Sequence, residues 1–558
     1  DRPSSRPATI PVTSPGERDP IDEGADEQVV SGTPPEVSSI DEDALTDEAE
    51  RQRLRDDDIR DLAGGAFVVL VGKMARASRG AFIWVVTLLC GLEVQGLYSL
   101  AWAVCSTLNK VARFGLPRGT VYFVNQARAL EVDVEARQEE SLAAGGLLAL
   151  CASGLVVAVV WMSADWIEAF FDKGPIAAPI RVMVFTAPFV ALAWIFTSAT
   201  RALRIMRYEV YVRSVCGPAL LFIGGTIVGL SGLGLRGVSW VQLTMAMGNF
   251  LLALFLFNRH FSIRGVLAAV GRRLPLASVA RFSGPVMLTD LLYAVLTQLD
   301  VFMLSFFVSD IRLVGIFVIS RRMASIVLKA PQAFDAIFSS IASELSAQQR
   351  DEDLGERVVV ISRWVLTINL PIFASLLLVG EPLLQMMGQK EFAMASDLQL
   401  GLHILFILCI GMLVQSVFAV AEPLLAMTGR PGLNLFNNIL WLVTNFCLNL
   451  WLIPRYGLIG AAFGAASTTM FINVLRVTEI YVLRRILPFR ASQLKPLLAA
   501  LLAILPAWWL RQEQVELWAR ILVPAASYVA VYFTALLLLR LEEEDRMLLD
   551  RLLRRWRT

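Results

Sequence analysis

Residues 96–124 read GLYSLAWAVCSTLNKVARFGLPRGTVYFV. From Leu97 to Pro117 the run is apolar over about 20 residues, the length at which a helix crosses a bilayer. Yet Lys110 and Arg113 sit inside it, three residues apart and so on one helical face. A charge at the bilayer centre costs at least about 2.5–3.5 kcal/mol, so such a face must look onto water or a partner instead of lipid. The stretch therefore implies both a membrane span and a polar space beside it.

Similar apolar runs extend outward in both directions. They fall at about 64–91, 97–117, 141–162, 179–200, 210–231 and 238–257, then 283–308, 314–340, 358–380, 398–421, 435–453 and 459–483, with 497–510 and 520–540 closing the chain. With 558 residues, 56% hydrophobic and 18% charged, and a mean hydropathy of +0.60, the chain reads as an all-α integral membrane protein of about 14 transmembrane helices. Connections that would face the cytoplasm hold 27 Lys and Arg, whereas the opposite ones hold only Lys173, Arg236, Arg312, Lys390, Arg455 and Arg511. The positive-inside rule then places both termini in the cytoplasm of a multi-pass protein.

Residues 1–61 carry 18 acids against 7 bases and few apolar side chains. They are expected to form a disordered acidic cytoplasmic tail ending in a charged lead-in helix at about 40–61, with no cleaved signal peptide. The formal net charge of +1 thus hides a basic membrane body, which suits anionic partners. Cys90, Cys105, Cys151, Cys216, Cys409 and Cys447 lie in apolar runs without a CxxC pair, and read as buried thiols, not as a disulfide framework or zinc site. His260 and His403 are too far apart in sequence to suggest a triad or metal site.

An offset of 219 brings Gly96 onto Gly315 and Lys110 onto Lys329, and an offset of 223 places Gly234 and Gly237 on Gly457 and Gly460. The expected organisation is two pseudo-symmetric six-helix bundles, 62–257 and 283–483, around a central cavity. A basic cytoplasmic linker, 258–282, joins them, and 484–558 adds two C-terminal helices and a basic tail. Gly232, Gly234 and Gly237 spell GxGxxG, but a turn between apolar helices lacks the βαβ setting of a dinucleotide site.

Fourteen Lys and Arg remain inside the predicted spans. Arg181, Arg520 and Arg540 lie at span ends, where they snorkel. Lys73, Arg76 and Arg79 recur every three residues in the first span, Lys110 and Arg113 in the second, and Arg322 and Lys329 are seven apart in the eighth, with Arg321 beside them. If these helices line one space, their cations form a chamber for an anionic ligand, phosphate above all. Asp290, Asp300 and Asp335 are available there as counter-ions or proton carriers. Leu116-Pro117-Arg118 and Lys329-Ala330-Pro331 mark possible helix interruptions.

The stretches 96–124, TQLDVFMLSFFVSDIRLVGIFVISRRMA (297–324) and IPRYGLIGAAFGAAS (453–467) together resemble the polysaccharide transporter branch of the multidrug/oligosaccharidyl-lipid/polysaccharide exporter superfamily, the Wzx-type flippases. That resemblance covers about 64–489. It implies transfer of an undecaprenyl-diphosphate-linked oligosaccharide across the bacterial inner membrane by alternating access, for surface polysaccharide such as O-antigen or exopolysaccharide. It also implies that Arg76 stands near an essential first-span arginine, although Ala75 replaces the usual serine, that Arg322 matches an eighth-span arginine, and that Asp300 matches the acid of a Leu-Asp motif. The implied partners are the polyprenyl-diphosphate-linked glycan, membrane lipids and polysaccharide polymerase or export machinery.

No GxxxxGK[ST] phosphate loop occurs, so an ion or proton gradient is the expected drive, with no cofactor, metal, nucleic acid or enzymatic step. A cation-coupled multidrug exporter would prefer an acidic or apolar cavity. A membrane glycan polymerase or transferase would need a large external loop or a polar catalytic cluster, yet the longest external connection is about 16 residues (163–178). A non-transporting scaffold would leave the cavity charges dispensable.

Overall fold

The computed structural model describes residues 79–129, 133–203, 205–329, 350–387, 395–427, 431–510 and 516–539, with isolated positions between 338 and 348. The acidic tail and its lead-in helix, Lys73, Arg76, Asp335 and the basic C-terminal segment lie outside the described residues, as does the side chain of Arg79. What is described is helical, with no strand among the described residues.

The first half comprises α1 (Arg79–Arg113), α2 (Leu116–Ala129), α3 (Val134–Phe171), α4 (Ala177–Met183), α5 (Thr186–Ala202), α6 (Arg207–Val210), α7 (Gly217–Leu230) and α8 (Gly234–Phe257). A π-helical turn, Tyr211–Cys216, joins α6 to α7. A short α9 (Ile263–Ala269) leads to α10 (Leu276–Phe307) and α11 (Ile311–Ala324), which passes into a 3-10 turn, Ser325–Leu328. The second half continues with α12 (Asp351–Met387), α13 (Ala395–Val417), α14 (Ala421–Met427), α15 (Pro431–Arg484), α16 (Leu494–Trp509) and α17 (Leu517–Leu538).

Two of these helices are hairpins. Gly91 leaves helical geometry at φ 91°, ψ 169° within α1. The Phe82 and Tyr98 rings then meet at 5.6 Å, whereas sixteen residues of continuous helix would span about 24 Å. In α15, Gly457 adopts φ 56°, ψ −130°, and Asn437 Nδ2 donates to Glu479 Oε2 across the returning arm at 2.7 Å. Among the described residues eleven helical stretches are long and apolar enough to cross a membrane, these two hairpins included. The eighth predicted span is represented by α11, with its later part outside the description. The protein is a multi-pass membrane protein, and its outward surface is correspondingly apolar, with Met162, Trp509 and Leu538 each more than three-quarters exposed.

The sequence repeat has a physical counterpart. The second arm of α1 crosses α11 where Gly96 and Gly315 meet: a Cβ on Gly96 would collide with the Ile311 carbonyl oxygen, and one on Gly315 with the Leu92 carbonyl oxygen. Leu92 and Ile311, like Gly96 and Gly315, are 219 residues apart, so the crossing maps onto itself when the halves are exchanged. Likewise Gly234 and Gly457 both have positive φ, 54° and 56°.

Several boundaries differ from the sequence reading. The third span extends on both sides, to Val134 and Phe171. The seventh begins at Leu276, so the segment expected as a linker at 258–282 contributes its last turns to α10 and contains α9, capped by Ser262, whose Oγ accepts from Gly265 N–H at 3.0 Å. Such helical extensions carry charged residues beyond the bilayer and leave no hydropathy signal. The break expected near Pro117 falls at Phe114 and Gly115, with φ 49° and 66°. All six cysteines are free, and Cys151 and Cys447 are exposed on the apolar perimeter instead of buried. On the second half, α16 and α17 are tied by Tyr528 Oη donating to the Ala500 carbonyl and to α12 by Tyr532 Oη donating to the Thr367 carbonyl, both at 3.0 Å.

Candidate functional site

Both arms of α1, with α5, the π turn, α7, α8, α10 and α11, line a cavity of about 600 Å³. Five cations line it: Lys110 and Arg113 from α1, Arg213 from the π turn, and Arg321 and Arg322 from α11. No Asp or Glu is among the described lining residues. Phe82, Tyr98, Trp102 and Trp194 supply aromatic faces, and Asn109, Gln242, Asn249 and Gln298 supply amides. Contributions from both halves make the space a shared one, as the two-bundle reading expects.

The cations are held differently. Arg321 is anchored: its Nη1 lies 3.3 Å from Asp300 Oδ2, and its Nη2 donates to the Thr297 carbonyl at 3.0 Å. Asp300 is 4% exposed and also accepts from Asn449 Nδ2 at 3.0 Å, the same Asn449 donating to Asn445 Oδ1 at 2.8 Å. Arg322, one residue on, points toward the first arm of α1, where its Nε stands 3.8 Å from the place of a Cβ on Gly80. The Arg113 guanidinium lies 4.5 Å from the Trp194 ring centroid, and the Arg213 guanidinium stacks on the same ring. Glu209 pairs with Arg213 from the preceding turn and with Arg201 at 3.4 Å.

Polar cross-links shape the walls. Gln242 donates to the Tyr98 hydroxyl, Gln298 Nε2 reaches Ser106 Oγ at 3.4 Å, and Asn109 Nδ2 reaches Thr186 Oγ1 at 3.4 Å. The Asn109 Oδ1, Gln242 Oε1 and Asn249 Oδ1 acceptors have no protein partner. A hollow with several fixed positive charges and amide side chains in its wall suits an anionic, hydroxyl-rich ligand.

Of the residues singled out by sequence, Lys110, Arg113, Arg321 and Arg322 converge here. Lys329 is exposed beyond the 3-10 turn and is not part of the lining, because the tighter turn at Ser325–Leu328 breaks the α-helical register that had put it on the face of Arg322. Asp300 stands behind Arg321 as its counter-ion, outside the lining. Asp290 is 3.4 Å from Arg118, an ion pair between α10 and α2. Arg213 also lines the cavity, although nothing in the sequence singles it out: four residues after Glu209, it reads as half of a solvated helical ion pair at a span end. Only the π turn shows where it points.

The sequence from residue 95 to 396 matches the family model described as polysaccharide biosynthesis protein. No protein with curated annotation is significantly similar in sequence. Among solved structures, the lipid II flippase MurJ in an inward closed conformation superposes with a TM-score of 0.67 at 14% identity, over 84% of this chain and 97% of that one. An inward-facing multidrug resistance MATE family transporter of the MOP superfamily gives 0.64 at 14% identity, over 75% and 99%. The MATE transporter VcmN of Vibrio cholerae, as a point mutant, gives 0.50 at 16% identity, over 76% and 97%. At these identities the likeness is one of fold.

Proposed function

Because the chain belongs to the polysaccharide biosynthesis protein family, matched over more than half its length, we propose that it is a flippase for a polyprenyl-diphosphate-linked oligosaccharide, undecaprenyl in a bacterial inner membrane. It would move the glycan from the cytoplasmic to the outer leaflet by alternating access. The carrying observation is the five-cation cavity shared by both halves, with no carboxylate among its described lining residues. At an effective dielectric of 20, unit charges 4 Å apart interact by about 4 kcal/mol. Several cations together therefore attract a diphosphate strongly while repelling a cationic drug, which disfavours a multidrug role despite the shared fold.

The aromatic faces and amide side chains that line the cavity beside the cations suit the sugar portion. The drive is an ion or proton gradient, with Asp300 in its Asn449 network as the coupling candidate. The protein acts without covalent chemistry, alongside polymerase or export machinery. Deletion of the gene tests the reading: lipid-linked oligosaccharide should accumulate on the cytoplasmic leaflet of spheroplasts, inaccessible to an added glycan-cleaving or glycan-binding probe. Normal arrival on the outer leaflet overturns it.

A further inference from the structure

Two guanidiniums repel each other, and bringing both to one surface requires groups that attract each of them. Arg113 comes from α1, Arg213 from the π turn and Trp194 from α5, and all three line the cavity. Both guanidiniums lie over the one indole, whose ring quadrupole attracts cations. Arg113 Nε donates to the carbonyl of Asn109 at 3.2 Å, which fixes the base of its fork. Arg213 is held from its other side by Glu209, a carboxylate shared with Arg201, and its Nη2 has no hydrogen-bond partner. The π turn, an insertion that rotates α7 relative to α6, is the kind of local irregularity found at functional sites.

Resting on the transport reading above, we infer that Trp194 is a positioning residue: it holds Arg113 and Arg213 side by side as a two-guanidinium clamp for one phosphoryl group of the lipid-linked ligand. Arg forks match phosphate geometry in a bidentate way, and pre-alignment removes the cost of assembling two like charges when the ligand arrives. Lys110 supplies a mobile point charge in the same wall, whereas the clamp supplies direction.

The test uses the full chain purified in detergent, with farnesyl diphosphate as the probe and titration calorimetry as the readout. Replacing Trp194 by Leu should weaken binding by about tenfold, the scale of a lost desolvated cation–π contact. Trp194→Phe, which keeps an aromatic face, should recover most of that loss. Arg113→Gln and Arg213→Gln should each weaken binding at least as much as Trp194→Leu. If Trp194→Leu does not purify, Trp194→Met makes the same comparison with Phe.

Undiminished binding by the Leu or Met variant, with both Arg variants impaired, overturns the clamp and leaves the proposed function standing. Equal losses in the Leu and Phe variants also overturn it, since they indicate lost bulk alone. If neither Arg variant is impaired, the phosphoryl group is not held by this pair and the clamp is overturned, while the proposed function still stands on Lys110 and Arg322, which line the same cavity.

Discussion

Arg321 and Arg322 are neighbours in sequence with opposite prospects. Arg321 is committed to Asp300 and the Thr297 carbonyl, while Arg322 lines the cavity near Gly80. Arg322→Gln and Lys110→Gln should therefore reduce surface polysaccharide to below about a tenth of normal, the scale of losing a charge-assisted phosphate contact, with protein level unchanged by immunoblot. Asp300→Asn should act on stability as well. It leaves Arg321 without its counter-ion, but that side chain is 28% exposed toward the cavity. The cost should thus be about 2 kcal/mol, below the 3–5 kcal/mol of a fully buried pair, visible as a lower Tm in detergent. Cations inside apolar runs were legible in the sequence because lipid forbids them on an outward face. Arg213 was not, since Glu209 four residues earlier supplies an ordinary explanation for it, and Trp194 carried no signal, since a tryptophan in an apolar helix is commonplace.

At the scale of the element, the crossing of α1 and α11 is a close junction between the halves, with backbone carbonyls where side chains would otherwise stand. A carbonyl cannot rotate away as a side chain does. Gly96→Val and Gly315→Val should each destabilise by about 3 kcal/mol or more, at the upper end of overpacking, measured by thermal unfolding in detergent. Gly284→Ala, with nothing within 4 Å of its Cβ, should fall within about 1 kcal/mol of the parent or stabilise it. The matched positions Gly96 and Gly315 were visible as a repeat, yet sequence could not say that the matched residues touch each other. Helical hairpins at Gly91 and Gly457 were legible because apolar runs stop there. Extensions such as the first turns of α3 and α10 were not, since helix outside the bilayer needs no apolar run.

For the whole molecule, the two halves touch each other at two levels of the membrane body. Toward the predicted outer side, Phe170 of α3 meets Phe306 of α10 at 5.6 Å, and Trp84 Nε1 donates to the Met386 carbonyl at 3.1 Å. Toward the predicted cytoplasmic side, Tyr122 of α2 stacks on Phe282 of α10 at 4.5 Å, beside the Arg118–Asp290 pair. Alternating access requires each set to part in turn, whereas contacts inside one half persist as that half moves as a body. In a variant lacking the six natural cysteines, a short reducible cross-linker between Phe170→Cys and Phe306→Cys should therefore stop glycan transfer, and so should one between Tyr122→Cys and Phe282→Cys. Reduction should restore both. The same linker between Phe196→Cys and Phe250→Cys, whose rings meet at 6.1 Å within the first half, should leave transfer intact. Continued transfer with either inter-half pair fully cross-linked would show that the ligand passes without those contacts opening, and the rocking of two halves would have to give way to a fixed surface path.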